Sequence, residues 1–268
     1  MSTIAVPIAF QTRLAQTELE KGLRLMWRRR SLVVAATIVY GLTYLGISLF
    51  IGGGHLVKEL MVRTLPAMLA VLVASTAAVE GTAGISEEIN GGTLEQTRLS
   101  PARAEVQALG RMTALGIEGL AVAVVVGIVF VLGVGLDITP HPAALIPAAL
   151  TILDALGYGL IMTALVVRVA SIGAISHVGN MAIMAFGGML VPVSVFPHGL
   201  EIFARFIPTT LGVESINTTL AGHGLGATWS DGTLPWLMVH TAVVLIAGFT
   251  LYAINIRHAQ REGGLSPR

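Results

Sequence analysis

Three acidic residues stand inside long apolar runs: Glu80, Glu118 and Asp154. An ionisable group at membrane depth is costly and faces a protein interior or a water-filled cavity. Such groups can line a path for a cationic or polar substrate, relay protons, or form a structural hydrogen bond to a neighbouring helix. Asp154, near the middle of its run, is the most expensive of the three. Other chemistries have little support. Cysteine is absent, which excludes thiol catalysis and cysteine-ligated metal. The seven histidines show no metal-binding spacing, and no G-x-S-x-G element is present. A phosphate-cradling P-loop needs Gly-Lys followed by Ser or Thr, but the two lysines, Lys21 and Lys58, follow Glu20 and Val57. The chain is therefore read as non-catalytic, with no cofactor or metal bound directly.

The elements that would position these acids are membrane spans. Of the 268 residues 54% are apolar and 12% charged, about half the charged share of a soluble domain, with a mean hydropathy of +0.81. This excludes a disordered chain, and with a net charge of +1 there is no reason to expect nucleic acid as a partner. A spanning helix needs about 20 apolar residues. Six blocks qualify, at residues 31–51, 65–85, 112–136, 143–167, 172–195 and 236–256. They predict a single all-α transmembrane domain over 1–268 that needs no special kinks. The first block starts too far from Met1 and is too long for a cleaved signal, so it reads as a retained anchor. With the N-terminus inside, thirteen Lys and Arg fall on the cytoplasmic side, against Lys58, Arg63 and Arg205 outside. Both termini are expected in the cytoplasm.

Three segments between and before the spans carry further information. Residues 13–30 have Ala15, Leu19, Leu23, Met26 and Trp27 on one helical face, with Glu18, Lys21, Arg24 and Arg28 opposite. This predicts an interfacial helix, or else an extension of the first span. Residues 86–111 form the longest cytoplasmic loop. Gly91 and Gly92 should stop a helix, Thr93 and Gln96 make a capping box for a short helix over Leu94–Leu99, and Ser100-Pro101 starts another. The alternative is a solvated loop with two ordinary caps. Residues 196–231 are too apolar for an ordinary outer loop. Apolar pieces before Pro208 and over Leu211–Leu220, the second capped by Thr209, predict short helices that re-enter the outer leaflet or lie flat upon it.

This order of elements resembles the membrane subunit of type-2 ATP-binding-cassette exporters, the group that includes daunorubicin-resistance and nodulation-factor permeases. The resemblance covers essentially the whole chain. It rests most on Glu87, Glu88, Gly92, Thr93, Leu94, Glu95 and Pro101, then on Val195, Phe196 and Pro197 through Pro208 and Thr209. Ile89, Asn90 and Gly91 lengthen the acidic-Gly-Thr stretch relative to many members. The resemblance implies a bacterial inner-membrane permease, paired with a second membrane subunit as a homodimer. Two copies of a separate nucleotide-binding subunit would carry ATP and Mg. The residues from Glu87 to Pro101 would couple ATP hydrolysis to the spans through a coupling helix, and Glu80, Glu118 and Asp154 are candidates for the substrate pathway. A hydrophobic drug-like or lipid-like substrate is the preferred cargo, because aromatic residues are only 6% and a sugar-stacking channel would need more. The competing reading is a proton-coupled secondary transporter that uses Asp154 with Glu80 or Glu118, although the two halves show no convincing internal repeat.

Overall fold

The computed structural model describes residues 8–91, 104–168 and 173–262. Every regular element among them is helical. The α-helices are α1 (Ile8–Arg28), α2 (Arg30–Ile51), α3 (Lys58–Ser75), α4 (Gly81–Asn90), α5 (Ala104–Gly133), α6 (Leu145–Val166), α7 (Gly173–Phe186), α8 (His198–Ala204), α9 (Thr210–Thr218), α10 (Gly224–Ser230) and α11 (Thr233–Glu262). Among the described residues five stretches are long and apolar enough to cross a bilayer: Arg30–Ile51, Lys58–Asn90, Ala104–Gly133, Pro142–Val166 and Thr233–His258. With α7 they make an all-α membrane bundle consistent with the six expected spans. One end of the bundle, called the basic end below, carries α1, Arg29 and Arg111. Lys58, Arg63 and Arg205 belong to the opposite end.

α6 is the central element. Small residues let its neighbours approach closely, which is how membrane helices gain contact where the lipid tails are as apolar as leucine. Gly157 faces the backbone of Leu245 on α11, Gly248 of α11 faces the Gly157 carbonyl and the Leu160 side chain, and Gly159 faces Ala77. A β-carbon at any of these glycines would collide with its neighbour. Near the opposite end, the Tyr44 hydroxyl bonds Thr64 Oγ1 at 2.8 Å, and its ring meets Phe130 edge-on at 5.0 Å. These contacts tie α2 to α3 and α5.

The structure corrects several expectations. The second span is not a plain helix: a π-helical turn at Thr76–Glu80 separates α3 from α4. The extra residue of such a turn rotates everything beyond it by about 100° relative to a straight helix. The helix then continues to Asn90 and ends at Gly91, and α5 starts at Ala104, so helical residues occupy both ends of the expected 86–111 loop. The fifth span was expected to run to Val195, but α7 ends at Phe186. Gly187 and Gly188 follow, with Gly188 at φ +88, and Pro192 introduces only a short turn. Phe186 then packs edge-on against Phe196 and Phe203, which turns the chain back over the end of α7.

The segment after α7 enters the bundle. The backbone of Thr209 contacts Asp154, which lies nine residues along α6, about 14 Å of rise from Leu145. Thr209 does precede a helix, but not as the expected side-chain cap. Its φ is +75, it makes no side-chain capping bond, and its hydroxyl is buried without a partner. A third short helix, α10, was not anticipated.

Candidate functional site

Two polar clusters interrupt the apolar bundle, one toward each end. At the basic end α1 lies along α5, where Gly22 meets Ala114 and Gly110 meets the backbone of Ala15. Its side of Leu25, Trp27, Arg24 and Arg28 is left exposed, and the Arg30 guanidinium lies over the Trp27 ring at 5.5 Å. That mixture suits a helix at a lipid headgroup boundary. Lys21 of α1, although exposed, reaches across to α4, where Arg111 of α5 also arrives. Lys21 Nζ is 2.7 Å from Glu88 Oε1, and Arg111 Nη2 donates to both Glu88 oxygens at 2.7 Å. Glu88 thus joins α1, α4 and α5 through one carboxylate. Its neighbour Glu87 is exposed and borders the same pocket as Lys21, Glu88 and Arg111. Gly92, Thr93, Leu94, Glu95 and Pro101, with the expected Leu94–Leu99 helix, lie outside the described residues.

Deeper at the same end, Arg29 Nη1 donates to Glu80 Oε2 at 2.6 Å. Arg29 occupies the break between α1 and α2, and the π-turn places Glu80 within its reach. Glu118 on α5 is buried close by and, among the described residues, makes no hydrogen bond or ion pair; its electrostatic neighbours are Glu80 and Arg29. A cleft of about 250 Å³ opens here, bounded by Arg29, Tyr40, Ser75, Glu80 and Glu118, with Leu32, Val33, Leu72 and Val122 as apolar wall. The structure therefore brings Glu80 and Glu118 together at one cleft, as their similar depth suggested, and adds Arg29 as the partner of Glu80.

Asp154 is far from that cleft. It is 1% exposed and holds the segment that folds back into the opposite end. Its Oδ2 accepts from the Thr209 backbone N–H at 2.7 Å, and its Oδ1 meets His240 Nδ1 at 2.8 Å. The other ring nitrogen of His240 lies 3.2 Å from the Phe206 carbonyl oxygen. Beside this group Arg205 pairs with Glu201 at 2.9 Å and with Glu214 at 3.4 Å. Burial pushes the Glu214 carboxyl above the usual carboxylate range, with Arg205 pulling it back.

Between these two clusters an apolar cavity of about 550 Å³ lies among α3, α5, α6 and α9, walled by residues such as Leu69, Val124, Ile128 and Ile152 and roofed by Ile216 and Leu220. Among the described residues no three His, Asp or Glu side chains converge as a metal site would require.

The partners that complete these clusters were missed by sequence reasoning: Arg29 and Lys21 for the glutamates, His240 for Asp154. Arg29 was visible only as one of three consecutive arginines. His240 sits in the last apolar block, where an isolated histidine at membrane depth was the single available signal.

No curated protein matches the chain. The family model described as ABC-2 type transporter matches residues 13–220, from α1 to the turn after α9, and so spans far more than half of the chain. A long-helix bundle with an amphipathic helix against its basic end and a folded-back segment at the other is the context in which that match falls, and this chain belongs to the ABC-2 type transporter family.

Proposed function

We propose that the chain is the membrane subunit of an ATP-driven exporter that moves a hydrophobic drug-like or lipid-like substrate out of the cytoplasm or inner leaflet. The basic end is the cytoplasmic end, both termini lie there, and the membrane is the bacterial inner membrane. A second copy completes the pathway, and two copies of a separate ATPase subunit dock below. The observation that carries this reading, beyond family membership, is the Lys21–Glu88–Arg111 group. It makes α1, the end of α4 and the start of α5 one mechanical unit on the face that an ATPase would push. Residues 92–103 connect two arms of that unit, so a force on Leu94 or Glu95 is delivered directly to α4 and α5.

Purification of the chain from its native membrane in mild detergent should bring an ATPase subunit with it. Leu94→Asp and Glu95→Ala should each lower substrate-stimulated ATP hydrolysis by about tenfold, as loss of a central interface contact does, with membrane insertion unchanged. Undiminished hydrolysis in both variants contradicts the coupling role. Transport that persists without any ATPase and collapses with the proton gradient selects the secondary-carrier reading instead.

The cleft at Glu80 and Glu118 is the entry point on the inner-leaflet side. Arg29 neutralises Glu80 and leaves the Glu118 carboxyl for the polar part of a substrate, while the apolar wall takes the rest. Glu118→Gln should reduce transport of a substrate bearing an ammonium group by about tenfold, the equivalent of one charge-assisted contact, and leave a neutral analogue of the same shape nearly unaffected. Equal transport of both substrates in variant and parent removes Glu118 from the pathway.

A further inference from the structure

We infer that Asp154 and His240 form a proton-dependent latch on the outer segment, closed while the pair holds an extra proton and released when that proton leaves. The inference rests on geometry at the outer end and does not require the export reading.

The Phe206 carbonyl can only accept a hydrogen bond, so His240 Nε2, 3.2 Å away, must carry a proton to hold it. The 2.8 Å contact between His240 Nδ1 and Asp154 Oδ1 needs a proton of its own, on either atom. An imidazolium beside a carboxylate satisfies both contacts, and so does a neutral imidazole beside a protonated carboxyl. In both arrangements the pair holds two protons, one more than a carboxylate with a neutral imidazole. The closed geometry selects the doubly protonated form of the pair. When one proton leaves, Nδ1 keeps the remaining one against the carboxylate, and the Nε2 lone pair then faces the Phe206 carbonyl oxygen. That contact changes from attraction to repulsion. Opening removes the carbonyl, and with it the need for a proton on Nε2. The closed form therefore binds more protons than the open form, so raising the outside pH favours opening and lowering it favours closure.

Two observations indicate that the segment depends on this latch. Thr209 holds a left-handed backbone that a threonine adopts only under constraint, and its N–H is the one bonded to Asp154. In addition, the hydroxyls of Thr209, Thr210 and Ser215 are buried without partners, so this part of the segment's seat supplies few other polar contacts. The His240 side chain is 17% exposed, whereas Asp154 is 1% exposed. The charged groups on the surrounding elements are otherwise engaged. Arg205 at the end of α8 is held by Glu201 and Glu214, and Asp231 ahead of α11 accepts from the backbone and hydroxyl of Thr233. Among the described residues, Asp154 is the only charged group in contact with the ring.

The absence of cysteine from the chain allows a direct test. Ile202→Cys on α8 and Met238→Cys on α11, both at exposed positions, would carry a spin-label pair in the full chain, diluted with unlabelled chain in lipid nanodiscs. Electron–electron distance distributions at pH 6 and pH 8.5 should show a single short distance at the lower pH. At the higher pH the ratio of long to short distances should rise by about tenfold, the value of one charge-assisted hydrogen bond. With His240→Gln, which can bond but cannot titrate in this range, the ratio should not change between the two pH values. A parent distribution that is the same at both pH values overturns the latch, whatever the variant does. A pH response of equal size in His240→Gln overturns the assignment to this pair.

Discussion

Glu88→Ala is expected to cost about 3 kcal/mol of bundle stability, the scale seen when one partner of a buried ion pair is removed. The reason is the state of what remains. Arg111 donates to both carboxylate oxygens of Glu88, and Lys21 reaches the same group from α1. Both Arg111 and Glu88 side chains are largely buried, so deletion of the carboxylate leaves a guanidinium confined without its principal partner. Surface pairs such as Arg24–Glu20 should contribute far less, because solvent screens them. The combination Glu88→Ala with Arg111→Met should recover most of the loss, since it removes the stranded cation along with the anion. Thermal denaturation of the detergent-solubilised chain measures both variants. A single-variant loss below about 0.5 kcal/mol, or a double variant no better than the single, would show that the group is not the clamp described above.

Asp154→Ala is the second large effect, again of about 3 kcal/mol, and it should be localised. The Asp154 side chain accepts from Thr209 N–H and hydrogen-bonds His240, and so connects α6, α11 and the folded-back segment. Alanine strands a backbone donor and an imidazole in a site that is 1% exposed. The Pro208–Thr209 corner would lose the contact that holds its left-handed backbone. Limited proteolysis should then cut between Phe206 and Gly212 well before any other part of the chain opens. Asp154→Asn should be much milder, because its amide can still accept from Thr209 and donate to His240. Equal damage from Ala and Asn would mean that negative charge, rather than hydrogen-bond connectivity, is what the segment requires. Loss of transport without any new cleavage would return Asp154 to a role in the substrate pathway.

These two groups show where local reading ends. Glu80 and Asp154 were conspicuous, since an acidic residue in an apolar block is costly wherever that block folds, while Glu88 stood out only as part of a charged loop. Their partners lie 51, 67 and 86 residues away in the chain. No periodicity links such positions. Glu80 meets Arg29 because a π-turn rotates the helix below α3 and because α1 breaks from α2 at Arg29 itself. A straight second helix would present Glu80 to a different neighbour. The fifth helix was overextended for a related reason. Ile172–Val195 is mostly apolar and carries no Asp, Glu, Lys or Arg, yet Gly187, Gly188 and Pro192 allow the chain to turn, and the Phe186–Phe203 contact makes the turn worthwhile.

The amino-acid sequence alone determined the all-α membrane class, the positions of the long apolar blocks and the amphipathic helix ahead of them. These follow from transfer of side chains between water and hydrocarbon, and that cost is counted residue by residue along the chain. The tertiary structure decided which acids are paired, which is left open, and that Asp154 holds a folded-back segment together with a histidine. Those outcomes depend on helix rotation and close approach at glycines such as Gly157, Gly159 and Gly248. Packing sets them among elements distant in the chain, and hydropathy does not encode it.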